Sequence, residues 1–379
     1  MNICVVSPSY PTAKTIDFVF VDQLCRAIAK EGHQVSIIAP QSITKAIMRR
    51  VPIVKRSTVV RVDGGIDIKL FRPIYLSFGN VKILAWLNRI GFNTAVAHTF
   101  NKSKTLPDVC YGHFWEAAYS IYSSAKKNNI PLFVSSGEEL ITIRINYSQH
   151  KLKEFLEYIS GIISVSQKNK DEIIQAGLAN EQNVRVIPNA VDPTMFFKKN
   201  RFTLREELGY DQEYFIVAFV GQFAKRKGAN RLSSAMTSLA DHSIKAFFIG
   251  NGPELPDYEG IIFKDRLPHE RLSDFLNCAD IFVLPTDNEG CSNAIIEAMA
   301  CGLPIVSSDL PFNYDILNKN NALLVDPHNV SEIAIAIKTL KDDYALRMRM
   351  SENSHATALD LTLPKRAQKI IEYIKNLTS

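Results

Sequence analysis

The strongest constraint on the fold is a long alternation of short apolar runs with helix-patterned segments. Asn2 to Ser7 is β-rich. Phe18 to Lys30 carries apolar residues at Val21, Leu24, Cys25, Ile28 and Ala29, one face of a helix, and Gly32 ends it. Gln34 to Ala39 (QVSIIA) is the next strand, which completes a βαβ unit. VCYG (109–112), a helix near Glu116 to Lys127, PLFVSS (131–136), GIISVS (161–166), a helix from about Gln167, and VRVIP (184–188) continue the series. Strands alternating with helices imply a parallel, doubly wound sheet.

IPNAVDPTMF (187–196) breaks the pattern with turn and linker residues. The alternation then restarts with FIVAFVG (215–221), AFFIG (246–250), IIF (261–263), DIFVLP (280–285), PIVSSD (304–309) and ALLVD (322–326). Helical patterns lie between them at Ala229 to Leu239, Pro268 to Cys278, Asn293 to Ala300 and Ser331 to Arg349. Pro364 to Leu377 reads as a closing helix with Ala367, Ile370, Ile371 and Ile374 on one face. The expectation is an α/β chain of two Rossmann-like domains, 1–190 and 191–360, with a helix at 361–379.

At 379 residues, 46% hydrophobic and 22% charged, the chain is neither disordered nor low-complexity. No apolar run reaches the ~18 residues of a membrane span. The start, MNICVVSPSYP, lacks a basic n-region and reads as a strand, which predicts a cytoplasmic protein. Cys4, Cys25, Cys110, Cys278, Cys291 and Cys301 show neither a CxxC pair nor a paired His spacing, so they read as buried hydrophobes rather than zinc ligands. The net charge of +5 is uneven, because 44–106 holds twelve Lys and Arg against Asp63 and Asp67. Those cations (Lys45, Arg49, Arg50, Lys55, Arg56 and Arg61 among them) alternate with apolar and aromatic residues. Such a mixture suits either a solvated face or peripheral contact with an anionic membrane surface. Nucleic acid is disfavoured, since no helix-turn-helix, zinc finger or RNP-type motif accompanies the charge.

The chemistry concentrates in Asp280 to Asp309. A buried strand, IFVLP, leads into the loop TDNEGCSN and the helix AIIEAMACG, which Gly302 ends. Glu289 lies in the loop, and Glu297 lies four residues after Asn293 on the same helix face. Backbone N–H groups from Gly290 to Ala294 would favour an anion or sugar hydroxyls, and Gly290 permits close approach. A carboxylate at Glu297 can accept from both hydroxyls of a ribose. A second loop, GQFAKRKG (221–228), carries Lys225, Arg226 and Lys227 after a strand. Fixed cations there would stabilise a diphosphate leaving group as its charge grows.

In order, YPTAKTIDFVFVDQLCRAIAKEGHQVSIIAP, PDVCYGHFW, GIISVSQKNKDEI, VRVIPNAVDPTMF, VAFVGQFAKRKGANRL, FIGNGPE and EGCSNAIIEAMACGLPIVSSD resemble the retaining glycosyltransferases of family 4. Glu289 and Glu297 match that family's E-x7-E signature. The resemblance implies a GT-B architecture, with the N-terminal domain taking the acceptor, the C-terminal domain holding a nucleotide sugar, a cleft between them, and a last helix packed on the N-terminal domain. It assigns Glu289 to the donor sugar. It assigns Gly290, Cys291, Ser292 and Asn293 to sugar hydroxyls and phosphate, Glu297 to the ribose, and Lys227 to the diphosphate. Gln222 stands where relatives often have Arg, so Arg226 or Lys225 is expected to supply the second cation. His113, after DVCYG, is expected to face acceptor or sugar.

Departures from the family pattern are local. Ser136-Gly137 replaces a His-Gly pair, which brings in Glu138 and Glu139 as substitutes. PTAKTID lacks the usual glycines, and Asn313 and Asp315 replace a Gly-Gly-x-x-Glu run. No DxD triplet occurs, and neither a cofactor nor a metal is expected. The implied reaction is transfer of a hexosyl unit, with retention, from a UDP- or GDP-sugar to a saccharide or lipid-linked saccharide in surface polysaccharide or glycolipid synthesis. A sugar-nucleotide epimerase, a soluble disaccharide synthase and a non-catalytic partner subunit share the same pattern. A nicotinamide-linked enzyme is disfavoured, because no GxGxxG follows the first strand.

Overall fold

The computed structural model describes residues 1–12, 18–48, 53–62, 64–78, 84–138 and 141–378. Residues 13–17 of the first loop, Arg49, Arg50, Asp63, Lys82, Glu139 and the side chain of Lys45 lie outside the described residues. The chain forms two compact units, Met1–Ile187 with Leu363–Ser379, and Pro188–Thr362.

The first unit holds an eight-stranded sheet in the order Val184–Val186, Ile159–Ser164, Leu132–Ser136, Val109–His113, Asn2–Val6, Gln34–Ile38, Ile66–Phe71, Ser57–Val62. Neighbours are parallel, except that Ser57–Val62 folds back antiparallel on Ile66–Phe71. The chain leaves Asn2–Val6 toward one edge and returns on its other side at Val109–His113. Between those two strands lies a topological switch point, where such sheets bind ligands beyond the strand exits. Helix Val19–Lys30 buries Val21, Leu24, Cys25 and Ile28. Helix Leu363–Thr378 packs against it, with Ala367, Ile370, Ile371 and Ile374 buried.

The second unit holds six parallel strands in the order Ile261–Asp265, Ile244–Ile249, Phe215–Val220, Ile281–Leu284, Ile305–Ser308, Ala322–Val325. In chain order this is 3-2-1-4-5-6, and its switch point lies between Phe215–Val220 and Ile281–Leu284. The two central strands are apolar on both faces, as burial under helices on both sides demands: Ile216 to Phe219 and Ile281 to Leu284 are fully buried.

The fold differs from the sequence expectation in two places. Ser331 to Arg349 is not one helix but two, Val330–Asp342 and Tyr344–Ala358. Asp343 leaves helical geometry, and its carboxylate accepts from the Leu346 N–H at 2.8 Å, so it caps a new helix. The basic stretch also contains structure that its charge pattern concealed, the antiparallel hairpin and helix Ala85–Asn101. Among the described residues, no helix is long and apolar enough to cross a membrane.

Candidate active site

In the second unit, the loops leaving the two strands at the switch point meet. Loop 221–228 follows Phe215–Val220, and loop 285–292 follows Ile281–Leu284. Gly228 makes the approach possible. Its φ is +78°, and a Cβ there would lie 2.3 Å from the Pro285 carbonyl oxygen. The Asp287 N–H donates to the Arg226 carbonyl at 2.8 Å. Arg231, one turn into the next helix, donates to the carbonyls of Lys225 (2.9 Å) and Pro285 (2.7 Å) and to the Asp287 carboxylate (2.6 Å).

The loops are joined by charge. Lys227 Nζ donates to Glu289 Oε1, and Thr286 Oγ1 donates to the same oxygen at 2.9 Å. Arg226 Nη1 lies 3.6 Å from Glu289 Oε1 and donates to the Asn288 carbonyl at 3.0 Å. Glu289 is only 8% exposed, a burial that a carboxylate tolerates when paired and hydrogen-bonded. Among the described residues its polar contacts all fall on Oε1, which leaves Oε2 for a ligand. Lys227 has three N–H donors, of which Glu289 takes one. The cluster is therefore neutralised in part, yet keeps donors and an acceptor in reserve.

Helix Asn293–Ala300 starts directly after this loop, and Ser292 Oγ accepts from the Ile295 N–H at 3.4 Å as its cap. Cys291 is buried, and its carbonyl accepts from Asn189 Nδ2 at 3.0 Å, which ties the loop to the start of the unit. Glu297 Oε1 accepts from His269 Nε2 at 3.1 Å. This hydrogen bond, opposed by burial and aided by the Glu297 charge, raises the His269 pKa above its ordinary value. Phe196 packs on the imidazole at 5.1 Å between centroids.

Two domain models cover this architecture. "Glycosyltransferase Family 4" matches residues 18–195, and "Glycosyl transferases group 1" matches residues 200–357. The chain belongs to the GT-B glycosyltransferases. A Bacillus subtilis (strain 168) protein, provisionally named a teichuronic acid biosynthesis glycosyltransferase, is 26% identical over 372 residues, covering 94% of this chain and 93% of that one. The phosphatidyl-myo-inositol mannosyltransferase of Propionibacterium freudenreichii is 24% identical over 331 residues, 83% of this chain and 78% of that one. Among solved structures, the sucrose-phosphate synthase of Thermosynechococcus elongatus superposes with a TM-score of 0.78 at 18% identity, over 99% and 98% of the two chains. Anabaena HepE, solved with UDP and glucose, gives 0.70 at 17% identity, over 99% and 100%.

The glycosyltransferase thus brings Lys227, Arg226 and Glu289 into one cluster beside the helix that carries Asn293 and Glu297. Gln222 and Lys225 have exposed side chains in the same loop. Asn313 is fully buried and donates to Ser307 Oγ (3.1 Å) and the Ser308 carbonyl (2.7 Å), so it anchors the loop that follows that strand; Asp315 is exposed. Sequence reading missed His269, Thr286 and Arg231. Thr286 and Arg231 sit one turn or less from chosen residues, so proximity could have found them. His269 lies 28 residues before Glu297 with no local signal. Among the described residues, no cluster of three His, Cys, Asp or Glu is disposed to hold a metal ion.

The first unit's switch point differs in character. His113 ends the central strand at 5% exposure, between the rings of Phe20 (5.2 Å) and Phe114 (4.7 Å). Burial, with Arg366 adding to it, pushes its pKa down to about 3, so the imidazole is neutral. Among the described residues, its Nδ1 is buried without a hydrogen-bond partner. Phe114 follows with φ +77°, an unusual geometry for a bulky residue. Glu138 accepts from the Trp115 N–H (2.8 Å), the Gly137 N–H (3.0 Å) and Ser136 Oγ (3.1 Å). Loss of water still raises its pKa against those hydrogen bonds.

Proposed function

We propose that the protein is a retaining family 4 hexosyltransferase. It moves a sugar from a UDP- or GDP-sugar to a saccharide or lipid-linked saccharide during synthesis of a surface polysaccharide or glycolipid. The observation that carries this reading is the Lys227–Glu289 contact across the two switch-point loops. One side chain offers a diphosphate its spare ammonium donors, and the other offers a sugar hydroxyl a spare carboxylate oxygen. As the glycosidic bond breaks, charge grows on the departing phosphate. Lys227 and Arg226 are fixed beforehand and stabilise that charge without reorganising. Backbone N–H groups of Gly290 to Asn293 bind phosphate or sugar oxygens at the helix start. Glu297, oriented by His269, accepts from the ribose hydroxyls.

With Glu297 on the ribose, the two glutamates do not form a hydrolase pair, and attack follows the front face of the donor, with the departing phosphate taking the acceptor proton. His113, neutral at the first unit's strand exit, serves the acceptor as a hydrogen-bond partner and not as an acid. No metal enters this scheme. The names of the similar glycosyltransferases from Bacillus and Propionibacterium support a polymer or glycolipid product, and the basic segment 44–106 supports work at the cytoplasmic membrane face.

The test is thermal shift with UDP-, GDP- and ADP-sugars on the wild type and Glu297→Ala. One nucleotide class should stabilise the wild type by ~2.7 kcal/mol at 100 times its Kd. The variant should lose that gain. A shift that persists in Glu297→Ala, or no shift with any donor, sinks the ribose assignment. An inverted anomeric configuration in the product, read by NMR, would sink the retaining mechanism. Indifference to anionic liposomes would remove the membrane component.

A further inference from the structure

The first unit carries an open cavity of about 1250 Å³ between one sheet face and helix Ala85–Asn101, large enough for a ligand of the ~300–1,000 Å³ class. Strand register defines its floor. Cys4 pairs with Ser36, Ser36 with Lys69, and Ile38 with Phe71, so these side chains share a face. On the opposite face, Ile3, Val5, Val35, Ile37, Ile68 and Leu70 are buried, and helix Val19–Lys30 packs on that part of the sheet. A sheet meant to be dry on both sides would be apolar on both. Strand Ile66–Phe71 alternates instead and turns Asp67 and Lys69 toward the cavity.

The lining is polarised along the strands. Toward the strand exits it is apolar, formed by Ile38, Phe71, Pro73 and Ile74. Toward the strand starts it is basic, with Lys102 and Lys104, and Lys69 stands midway. Arg56 adds a cation at the exit end. Among the described residues, Asp67 is the one acid in the lining, and Arg61 holds it at 3.2 Å. Among the described residues, Lys69, Lys102 and Lys104 take part in no ion pair.

We propose that this cavity binds an amphiphilic anion, with a single acyl-type chain along Ile38, Phe71 and Ile74 and its anionic head on Lys69, Lys102 and Lys104. An apolar trough alone would hold any hydrophobe, and the lysines alone any phosphate; their juxtaposition selects a molecule with both parts. The head end lies at the strand starts, at the opposite end of the sheet from His113, and only the acyl end reaches the strand exits. It makes the protein a lipid-binding one, and the lipid comes either from a bilayer or from free solution.

Calorimetry on the whole chain tests this without donor or turnover. Lysophosphatidylglycerol below its micelle concentration should saturate at one per chain. Lysophosphatidylcholine of the same chain length should bind at least tenfold more weakly, and glycerol phosphate should give no heat. Lys69→Glu, Lys102→Glu and Lys104→Glu combined should lower affinity at least tenfold, and so should Ile74→Glu at the chain end. Should the triple variant unfold, Lys104→Glu alone, on an exposed turn, must still weaken binding severalfold. Phosphatidylglycerol vesicles that bind and are displaced by the lysolipid identify a bilayer source; vesicles that do not bind identify free lipid. Equal affinity for the two lysolipids, full competition by glycerol phosphate, unchanged affinity in the variants, or binding to vesicles without binding to monomers would each overturn the proposal.

Discussion

The two units solve the same topological problem with opposite electrostatics. Each sheet reverses direction at a switch point, and each places its notable side chains at the strand exits beside it. In the second unit those side chains are charged and paired, with Lys227 and Arg226 against Glu289. In the first they are uncharged or pressed toward neutrality, with His113 at a pKa of about 3 and Glu138 raised by lost water. A charged cradle suits a ligand whose charge changes during reaction, such as a nucleoside diphosphate. A desolvated end, whose histidine is neutral and whose carboxylate is pushed toward its neutral form, suits a ligand recognised by hydrogen bonds and shape. Topology fixes where a site sits; side-chain charge decides what it can hold.

The largest expected effect tests the charged side. Lys227→Met should lower kcat by ~10²–10³, the scale of losing one preorganised donor to a developing oxyanion. Steady-state transfer rates check this, and a loss below tenfold would mean that Arg226 alone carries the leaving group. Glu289→Gln keeps an oxygen for Lys227 and Thr286, so it should fold normally and still lose most activity.

The next largest concerns His269 and Glu297. The His269 pKa is raised in the folded protein, first by the hydrogen bond to Glu297. Its contribution is therefore complete below the unfolded value of about 6.5 and is lost as pH rises through the folded value. The difference in unfolding free energy between wild type and His269→Gln should be about 1 kcal/mol at pH 6 and vanish by pH 9. Donor KM should rise over the same interval in the wild type and stay flat in the variant. A parallel pH dependence in both proteins would break the link between the two residues.

Much of this site was legible because its residues sit in local patterns. A strand, a glycine-flanked basic loop and a helix start can each be read from a dozen residues. Glu289, Glu297 and Lys227 were found that way, and the six strands of the second unit follow from their apolar runs. What could not be read is contact between distant segments. Nothing near Lys227 or Glu289 announces that they touch across 62 residues, and nothing near His269 points to Glu297. The helix break at Asp343 was hidden because the apolar spacing continues across it, while the cap depends on one carboxylate reaching Leu346. The charge of 44–106 masked its hairpin, since cations on the exposed face obscured the apolar alternation of Ile66, Ile68 and Leu70.

On the neutral side, His113→Phe should be tolerated by the fold. A ring replaces a ring among Phe20 and Phe114, and a buried, unpartnered Nδ1 is removed, so stability should change by less than ~1 kcal/mol. Transfer should fall roughly tenfold in kcat/KM, the worth of one hydrogen bond to substrate. Its pH profile should keep the wild-type shape, because a histidine titrating near 3 is neutral throughout the working range. A new or lost limb near neutrality would show that His113 works as an acid or base after all.

The smallest effect is the sharpest test of desolvation. Glu138 accepts from two backbone N–H groups and one hydroxyl, so its ionised form is well matched to its partners. Burial opposes that match and wins, since its pKa is raised. Glutamine cannot match the same donors, because whichever way its amide turns, one NH₂ faces a backbone N–H. Glu138→Gln should therefore cost about 1 kcal/mol near neutrality. The sign of the pH dependence separates the two forces. A group whose folded pKa is raised stabilises most at acid pH and loses that contribution as pH rises. The wild-type advantage over Glu138→Gln should therefore be larger near pH 4 and narrow toward pH 8 in urea melts. If it widens instead, hydrogen bonding outweighs burial at Glu138, and the contrast between a charged and a neutral switch point fails at this residue.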